Sequence, residues 1–584
     1  MGAARRSWVW GAAAVLLAAF ALQSLFSINR LSATSDEVPH LAAGYSYLET
    51  GDFRLNYEHP PLVKTVAALP LLALHPDFNR GDPTWVRADE WAFGERFIND
   101  NRVPAKRIVF WGRLPMVALA VLLGLLVFLW AREIYGGPAA LVSLALFAFS
   151  PNMLANAPLV TFDVPNALFA LLSVYTFYHF LLAPDRRHAI YAGLALGLAL
   201  ASKTTALLLV PLYVLLWIAW VLGRREKTAS PTASLRYLWP MPVAAGLVVL
   251  VSYHVTAIAD YAKCVGYFAG DVGRGGRPAF LLGKYSLKGW WYYFLAAMAI
   301  KTPIPTLALF AAAGAVVVRR RRLALAELFL LIPAGFFLIA SSASRLQLGI
   351  RYVLHVYPFL FVFAGAIAAW IGGSWRTGLS TKRIAVAAVG LLLIWLAVGT
   401  LRISPHYLAY FNETVGGPKN GYKCLLDSNL DWGQDLPALT DFLKKEGNPE
   451  VILSFFGTAS PRTYGITYQD FYSYNSSGRR EDHIDSLEPK REIFVISANL
   501  LQSLFYPDKS RYDWLKQRLP VATLGYSLFV YDVTRDADAQ VRLGVMYMNG
   551  GLLAKAERQM RRALAIDPTN ARAKGYLDII LGKS

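Results

Sequence analysis

Apolar residues in this chain come in long runs rather than in stripes. A helix needs about 20 consecutive apolar residues to cross the roughly 30 Å hydrocarbon layer of a membrane. Eleven runs approach that length, near residues 8–28, 108–131, 138–151, 164–183, 189–202, 204–222, 238–258, 290–318, 324–341, 353–373 and 384–401. Three of them are short for a crossing, which leaves their ends open. The pattern therefore predicts a polytopic α-helical membrane domain over residues 1–401.

Beyond Leu401 the apolar runs shorten and turn clusters such as Gly416-Gly417-Pro418 and Gly447-Asn448-Pro449 break them up. Val451 to Phe456, Glu492 to Ile496 and Ser527 to Tyr531 read as buried strands, and Leu436 to Lys445 as a helix, which predicts a small α/β domain over 402–535. From residue 536 to 584 the pattern becomes helix-turn-helix. Leu543, Gly544, Tyr547, Gly551, Ala556, Met560, Ala563 and Pro568 fall at the spacing of one tetratricopeptide repeat of about 34 residues, with Gln540 where that pattern prefers Trp. A single repeat cannot bury its own apolar face, so it docks either on the α/β domain or on a protein partner.

Composition agrees with the membrane reading: of 584 residues 55% are hydrophobic and 17% charged, and the mean hydropathy is +0.37. The formal net charge of +19 argues for nucleic acid only at first sight, because the basic residues sit in short clusters between apolar runs rather than along one polar face. Threading the eleven runs alternately places Arg5/Arg6, Arg132, Arg186/Arg187, Arg224/Arg225/Lys227, Arg319 to Arg322 and Arg376/Lys382/Arg383 on one side, which the positive-inside rule makes cytoplasmic. The other side receives the loops 29–107, 152–163, 259–289 and 342–352 and the whole tail. A plasma-membrane protein with a cytoplasmic amino terminus and an extracytoplasmic carboxyl terminus is expected. The first run follows Arg5 and Arg6 like a signal peptide, but no small-residue cleavage site precedes Asn29-Arg30, so it reads as a retained anchor.

The candidate chemistry lies in the first external loop, in Ser35-Asp36-Glu37-Val38-Pro39-His40 and in Asn56-Tyr57-Glu58-His59-Pro60-Pro61-Leu62-Val63-Lys64. Two readings of the paired acids stand. Ser35 and the acids can cap a helix running through Leu41 to Leu48. Alternatively, a carboxylate takes a proton from an acceptor hydroxyl while Lys64 and other cations of that face hold a phosphate leaving group.

Asp36-Glu37 after the first span, followed by His59-Pro60-Pro61-Leu62-x-Lys64, resembles the first loop of the protein O-mannosyltransferases and aminoarabinose transferases, glycosyltransferase family 39 with the GT-C fold. Thr161-Phe162-Asp163-Val164-Pro165, Gly197 to Lys203, and Arg351-Tyr352 leading to Tyr357-Pro358 are similar to further stretches of that family. Gly289 to Pro303 and Asp427 to Asp435 resemble a bacterial branch of it. The resemblance covers roughly residues 1–440. It implies a donor whose sugar, hexose or pentose, is joined through one phosphate to a polyprenol, inversion at the anomeric carbon, and no cofactor. Asp36 would be the general base, and Glu37 would hold the acceptor or tune Asp36. Lys64, Lys203 and Arg351 would hold the phosphate, against the alternative that such residues snorkel to the interface. Asp163 would add an acidic contact or simply cap its helix, and Glu58, His59 and Tyr352 would complete the substrate site.

The aminoarabinose branch carries a zinc near the equivalent of Glu58. The fourth loop here has no histidine pair, so no metal is expected. Cys264 and Cys424 would both be external, which leaves a disulfide and two unpaired thiols equally open. Trp290 to Tyr293 read as an interfacial belt, with sugar stacking as the second option. Asn412-Glu413-Thr414 and Asn475-Ser476-Ser477 would be glycosylation sequons in an endoplasmic reticulum lumen. The rival classes are a lipid or solute transporter, whose site would lie mid-membrane on broken helices, and an anchored tetratricopeptide assembly factor, which has no need of so many spans. Neither sugar nor acceptor, whether protein, lipid or glycan, is legible.

Overall fold

The computed structural model describes residues 2–223, 230–373, 379–474 and 491–582. The cluster Arg224/Arg225/Lys227, Arg376 and the sequon at Asn475 lie outside them. The chain divides into two compact units, Met1–Gln434 with Thr458–Ser460, and Asp435–Gly457 with Pro461–Ser584.

The first unit is helical. Among the described residues eight helices are long and apolar enough to cross a membrane: Ser7–Ile28, Ala105–Tyr135, Asp163–Leu182, Thr204–Gly223, Pro231–Ser252, Leu325–Ala343, Ile350–Gly373 and Lys382–Ile403. Their outward faces stay apolar, as Ile384, Leu391 and Ile394 on the last of them are exposed, which suits lipid rather than water.

Three of the eleven expected runs form helices that are shorter than these or broken. The run at 138–151 forms the 12-residue helix Gly137–Ala148 before Ser150 caps a new helix at Pro151, so at ~1.5 Å per residue this stretch is covered by two helices in succession rather than by one. The run at 189–202 forms the 17-residue helix Arg186–Ser202, at the lower end of crossing lengths. The run at 290–318 breaks at Thr302-Pro303, giving Tyr293–Lys301 and Ile304–Arg320 bent by 114°, a ninth span only if the pair counts as one. Proline lacks the N–H that a continuous helix would need there.

Between the first two spans the helices Glu37–Thr50 and Leu62–Ala68 build a folded loop. They meet at Gly44, where a Cβ would lie 2.1 Å from the Lys64 carbonyl oxygen, and Gly51 (φ 69°) closes the first helix in the left-handed conformation. Elsewhere Arg186–Ser202 and Pro240–Ser252 pack through Gly193 and Gly197. A Cβ at Gly193 would meet the Met241 carbonyl oxygen at 2.4 Å, and one at Gly197 would meet Val248 at 2.7 Å and Ala245 at 2.8 Å. Contacts advance in the same sense along both helices, so the two run parallel, with the start of the second beside Gly193 of the first.

The second unit holds a five-stranded sheet in the order Tyr468–Asp470, Val451–Ser454, Ile493–Ser497, Leu528–Asp532, Ala522–Leu524. The first three strands are parallel and the last two antiparallel to their neighbours. The central strands are buried along their length, hence their unbroken apolar sequence. Three helices follow, Ala537–Asn549, Leu553–Ile566 and Ala571–Ile580, and they lie against this sheet. Gln540, Gln559 and Arg562 all donate to the carboxylate of buried Glu492, and Tyr547 packs edge-on against Phe471 at 5.2 Å.

Candidate functional site

A cavity of about 340 Å³ opens within the first unit. Its wall comes from the folded loop (Asp36, His40, Glu58, His59), the start of the span at 163 (Asp163), the turn after Ser202 (Lys203, Thr204), the helix Ala259–Arg274 with the segment after it (Tyr267, Asp271, Arg277), and the turn opening the span at 350 (Arg351, Tyr352, His355). Of the residues singled out in the sequence, Asp36, Glu58, His59, Asp163, Lys203, Arg351 and Tyr352 meet here; Glu37 and Lys64 do not line the cavity.

The two neighbouring acids diverge because one is committed elsewhere. Glu37 is fully buried and takes a bidentate pair from Arg113, Nε to Oε1 at 2.8 Å and Nη2 to Oε2 at 2.6 Å. It also accepts from the backbone N–H groups of Thr34 at 2.8 Å and Val160 at 3.0 Å. Burial pushes its pKa up, but Arg113 and these donors outweigh burial and hold it below the ordinary carboxylate range. One residue back, Asp36 begins the helix without a side-chain capping bond and instead reaches Arg351 Nη1 at 3.1 Å from Oδ2. The capping reading thus fails for Asp36, and Ser35 Oγ has no hydrogen-bond partner either.

Lys64 is spent in the same way. Its ammonium donates to Asn56 O at 2.9 Å, Asn56 Oδ1 at 2.7 Å and His59 O at 2.8 Å, which uses all three protons. Burial lowers its pKa to about 8. Its effect is to fix the segment 56–59, which carries Glu58 and His59 to the cavity. Burial, with Asp36 adding to it, raises the Glu58 carboxyl above the usual range.

Asp163 is the first residue of its helix and makes no capping bond, so the capping alternative fails for it too. Oδ1 accepts from Lys203 Nζ at 2.6 Å, while Oδ2 faces Arg351 Nη1 at 3.6 Å and accepts no hydrogen bond. Lys203 is almost wholly buried in this pair, which removes the snorkelling reading. Arg351 lies over the Trp432 ring at 4.3 Å, and its buried Nε–H has no acceptor. Asp36, Arg351, Asp163 and Lys203 therefore form a chain of alternating charge along one wall, with a donor and an acceptor left over.

Sequence reasoning missed His40, Tyr267, Asp271, Arg277 and His355. His40 sits one helical turn after Asp36 and donates from Nδ1–H to Val160 O at 2.8 Å; that i, i+4 spacing was the available signal. Arg277, paired with Asp271 at 3.2 Å, had no signal beyond being a cation in an external loop. Asp427, at φ 57°, approaches Arg351 from a neighbouring turn. Burial, opposed by Arg351, raises it to about 6.

Two open questions close. Cys264 and Cys424 are separate buried thiols. Asn412 is buried and donates to Ala299 O at 2.6 Å and Thr302 O at 2.8 Å, so it cannot serve as a glycan acceptor in the folded chain. Of the aromatic run, Trp291 and Tyr292 are exposed, whereas Tyr293 turns inward to Asn429 at 3.1 Å. No cluster of three or more metal-ligating side chains occurs among the described residues.

A family model described as dolichyl-phosphate-mannose-protein mannosyltransferase matches residues 109–251, less than half of the chain. No curated protein matches by sequence. Among solved structures, ArnT from Cupriavidus metallidurans in the apo state is similar at 16% identity and a TM-score of 0.47, covering 90% of this chain and 98% of that one. ArnT from the same organism bound to undecaprenyl phosphate gives 17% and 0.43 over 88% and 97%. The Archaeoglobus fulgidus oligosaccharyltransferase in its apo form gives 14% and 0.42 over 66% and 56%.

Proposed function

We propose that this chain is a polytopic GT-C glycosyltransferase that moves a hexose or pentose from a polyprenyl-phosphate donor to an acceptor hydroxyl. The observation that carries the reading is Asp36 facing Arg351 across the wall of one cavity at 3.1 Å. A carboxylate that can take a proton stands beside a cation that can take a phosphate, the two requirements of the transfer. The family match over 109–251 supports the same chemistry.

In the reaction, the acceptor oxygen attacks the anomeric carbon with inversion, and its proton passes to Asp36. The bond from that carbon to the phosphate oxygen breaks, and the polyprenyl phosphate leaves with the electron pair. Arg351 receives the growing negative charge, aided by Arg277. Donor binding draws Arg351 from Asp36 to the phosphate, which frees the base. The unused Oδ2 of Asp163 accepts a hydrogen bond from a sugar hydroxyl, and Lys203 holds its Oδ1. Glu37 and Lys64 act as positioning groups. Glu58, His59 and Tyr352 border the sugar and acceptor. The cavity gathers the ends of spans, Asp163 and Arg351 at the openings of theirs, whereas a transporter site is expected near the midplane.

On this reading the membrane part expected at 1–401, extended to Gln434 by the first unit, forms the catalytic domain in a bacterial plasma membrane, with the active site, the rest of the α/β domain to 535 and the repeat-like segment 536–584 on the extracytoplasmic side. The contacts of Gln540, Gln559 and Arg562 with Glu492 support a tetratricopeptide-like hairpin that docks on its own domain before any partner. The test is turnover: purified protein incubated with a labelled polyprenyl-phosphate sugar should release polyprenyl phosphate and move label to an acceptor. Intact donor after incubation with extracts supplying protein, lipid and glycan acceptors would overturn the assignment.

A further inference from the structure

A second cavity, of about 540 Å³, is lined by Asp185, Arg186, Arg187, Arg236, Tyr237 and Trp239. It lies at the opposite membrane face from the proposed active site. Asp163, in the active-site cavity, opens the span that closes at Leu182, and 20 helical residues rise about 30 Å. Three residues further on, the chain enters the second cavity.

The fold builds this place rather than leaving arginines scattered. Gly193 and Gly197 let Arg186–Ser202 and Pro240–Ser252 run parallel in near contact. The start of Pro240–Ser252 lies beside Gly193, two turns into Arg186–Ser202, and the short helix Pro231–Arg236 brings Arg236 in beside Arg186 and Arg187. Among the described residues none of the three guanidinium groups pairs with a carboxylate: Arg187 donates from Nε to Tyr191 Oη at 3.0 Å, and Arg236 lies near the neighbouring Tyr237 ring. Asp185, the one acid of the wall, is engaged by His188 through its backbone N–H at 2.8 Å and Nδ1 at 3.0 Å. The amino terminus of Arg186–Ser202, capped by Asp185, lies in the same wall. The rim carries Trp239, 59% exposed, and Tyr237, the residue types that sit at headgroup level.

We infer that this cavity binds a phosphate-bearing anion, and that its source is the headgroup of an anionic phospholipid in the leaflet opposite the active site. The three arginines supply forked donors to phosphate oxygens, a basic pocket between span ends suits such headgroups, and the aromatic rim meets the acyl and glycerol region. The inference rests on the membrane reading of the spans and not on the sugar transfer.

The experiment is native mass spectrometry of the full-length protein in detergent, titrated with phosphatidylglycerol, phosphatidylcholine or inorganic phosphate. Phosphatidylglycerol should bind more tightly than phosphatidylcholine. The combined variant Arg186→Gln, Arg187→Gln, Arg236→Gln should lose roughly 100-fold in affinity for it, three basic residues contributing together. Arg236→Gln alone, on a short exposed helix, should lose roughly fivefold and serves if the combined variant does not fold. Unchanged phosphatidylglycerol affinity in these variants would overturn the site. Displacement of the lipid by an equal concentration of inorganic phosphate would overturn the lipid source and leave a soluble anion. Either result can arise with sugar transfer intact, so failure here is distinct from failure of the proposed function.

Discussion

Asp36 and Glu37 differ by one methylene and one position, and the structure gives them opposite fates. Glu37 is sealed against Arg113, so Glu37→Gln leaves a buried guanidinium half-paired. Breaking such a pair costs about 3–5 kcal/mol, and the variant should show a lower unfolding temperature in detergent, with any activity loss following the folded fraction. That fate was illegible in sequence because Arg113 lies 76 residues away in a helix read only as a span. Arg351→Ala removes a charge-assisted contact worth about 1.5–3 kcal/mol, so donor titration should show affinity weakened by about 10- to 150-fold. Asp427 adds a pH dependence. Buried and raised to about 6, it is neutral below that pH and ionised above it, where it draws Arg351 away from phosphate. Donor affinity should therefore fall as pH rises through about 6, about tenfold if the coupling equals one pKa unit, and Asp427→Asn should flatten that fall. The quoted motifs brought most of the wall into view, because a motif carries its own residues. Arg277 and His355 were hidden, because their place depends on how distant helices pack.

At the scale of elements, length was the legible quantity and continuity was not. Lys382–Ile403 and Ala105–Tyr135 were readable from apolar content alone, whereas the single proline after Thr302 turned one apparent span into two helices at 114°. The strands of the second unit were legible as unbroken apolar runs, but the antiparallel return of Leu528–Asp532 beside Ile493–Ser497 is a pairing that no local pattern encodes. The close helix pair offers a direct check. Gly193→Ala sets a Cβ against the Met241 backbone, which cannot move as a side chain end would, so overpacking should cost about 1–3 kcal/mol and lower the unfolding temperature. In the second unit, Glu492→Ala strips Gln540 and Gln559 of their buried acceptor at about 1–3 kcal/mol for each group left unsatisfied. Hydrogen exchange over 537–566 should rise while the strand Val451–Ser454 stays protected.

For the membrane unit, the ends of several spans converge on Asp36 and Arg351, and the proposed orientation puts the basic clusters of the sequence on the opposite face. The eleven crossings expected from the sequence are an odd number and the Lys/Arg bias sets their orientation, so cysteine-accessibility labelling should find the amino terminus inside and residue 582 outside. Labelling of both ends from one side would reverse the placement of the tail. The central claim is that Asp36 takes the acceptor proton, and the most direct measurement is turnover of a polyprenyl-phosphate sugar by purified Asp36→Asn, with donor binding assayed in parallel. Asparagine keeps the size but cannot accept the proton, so turnover should fall roughly 100- to 10,000-fold while the protein stays folded and still binds donor. Turnover near that of the unsubstituted protein would contradict the account.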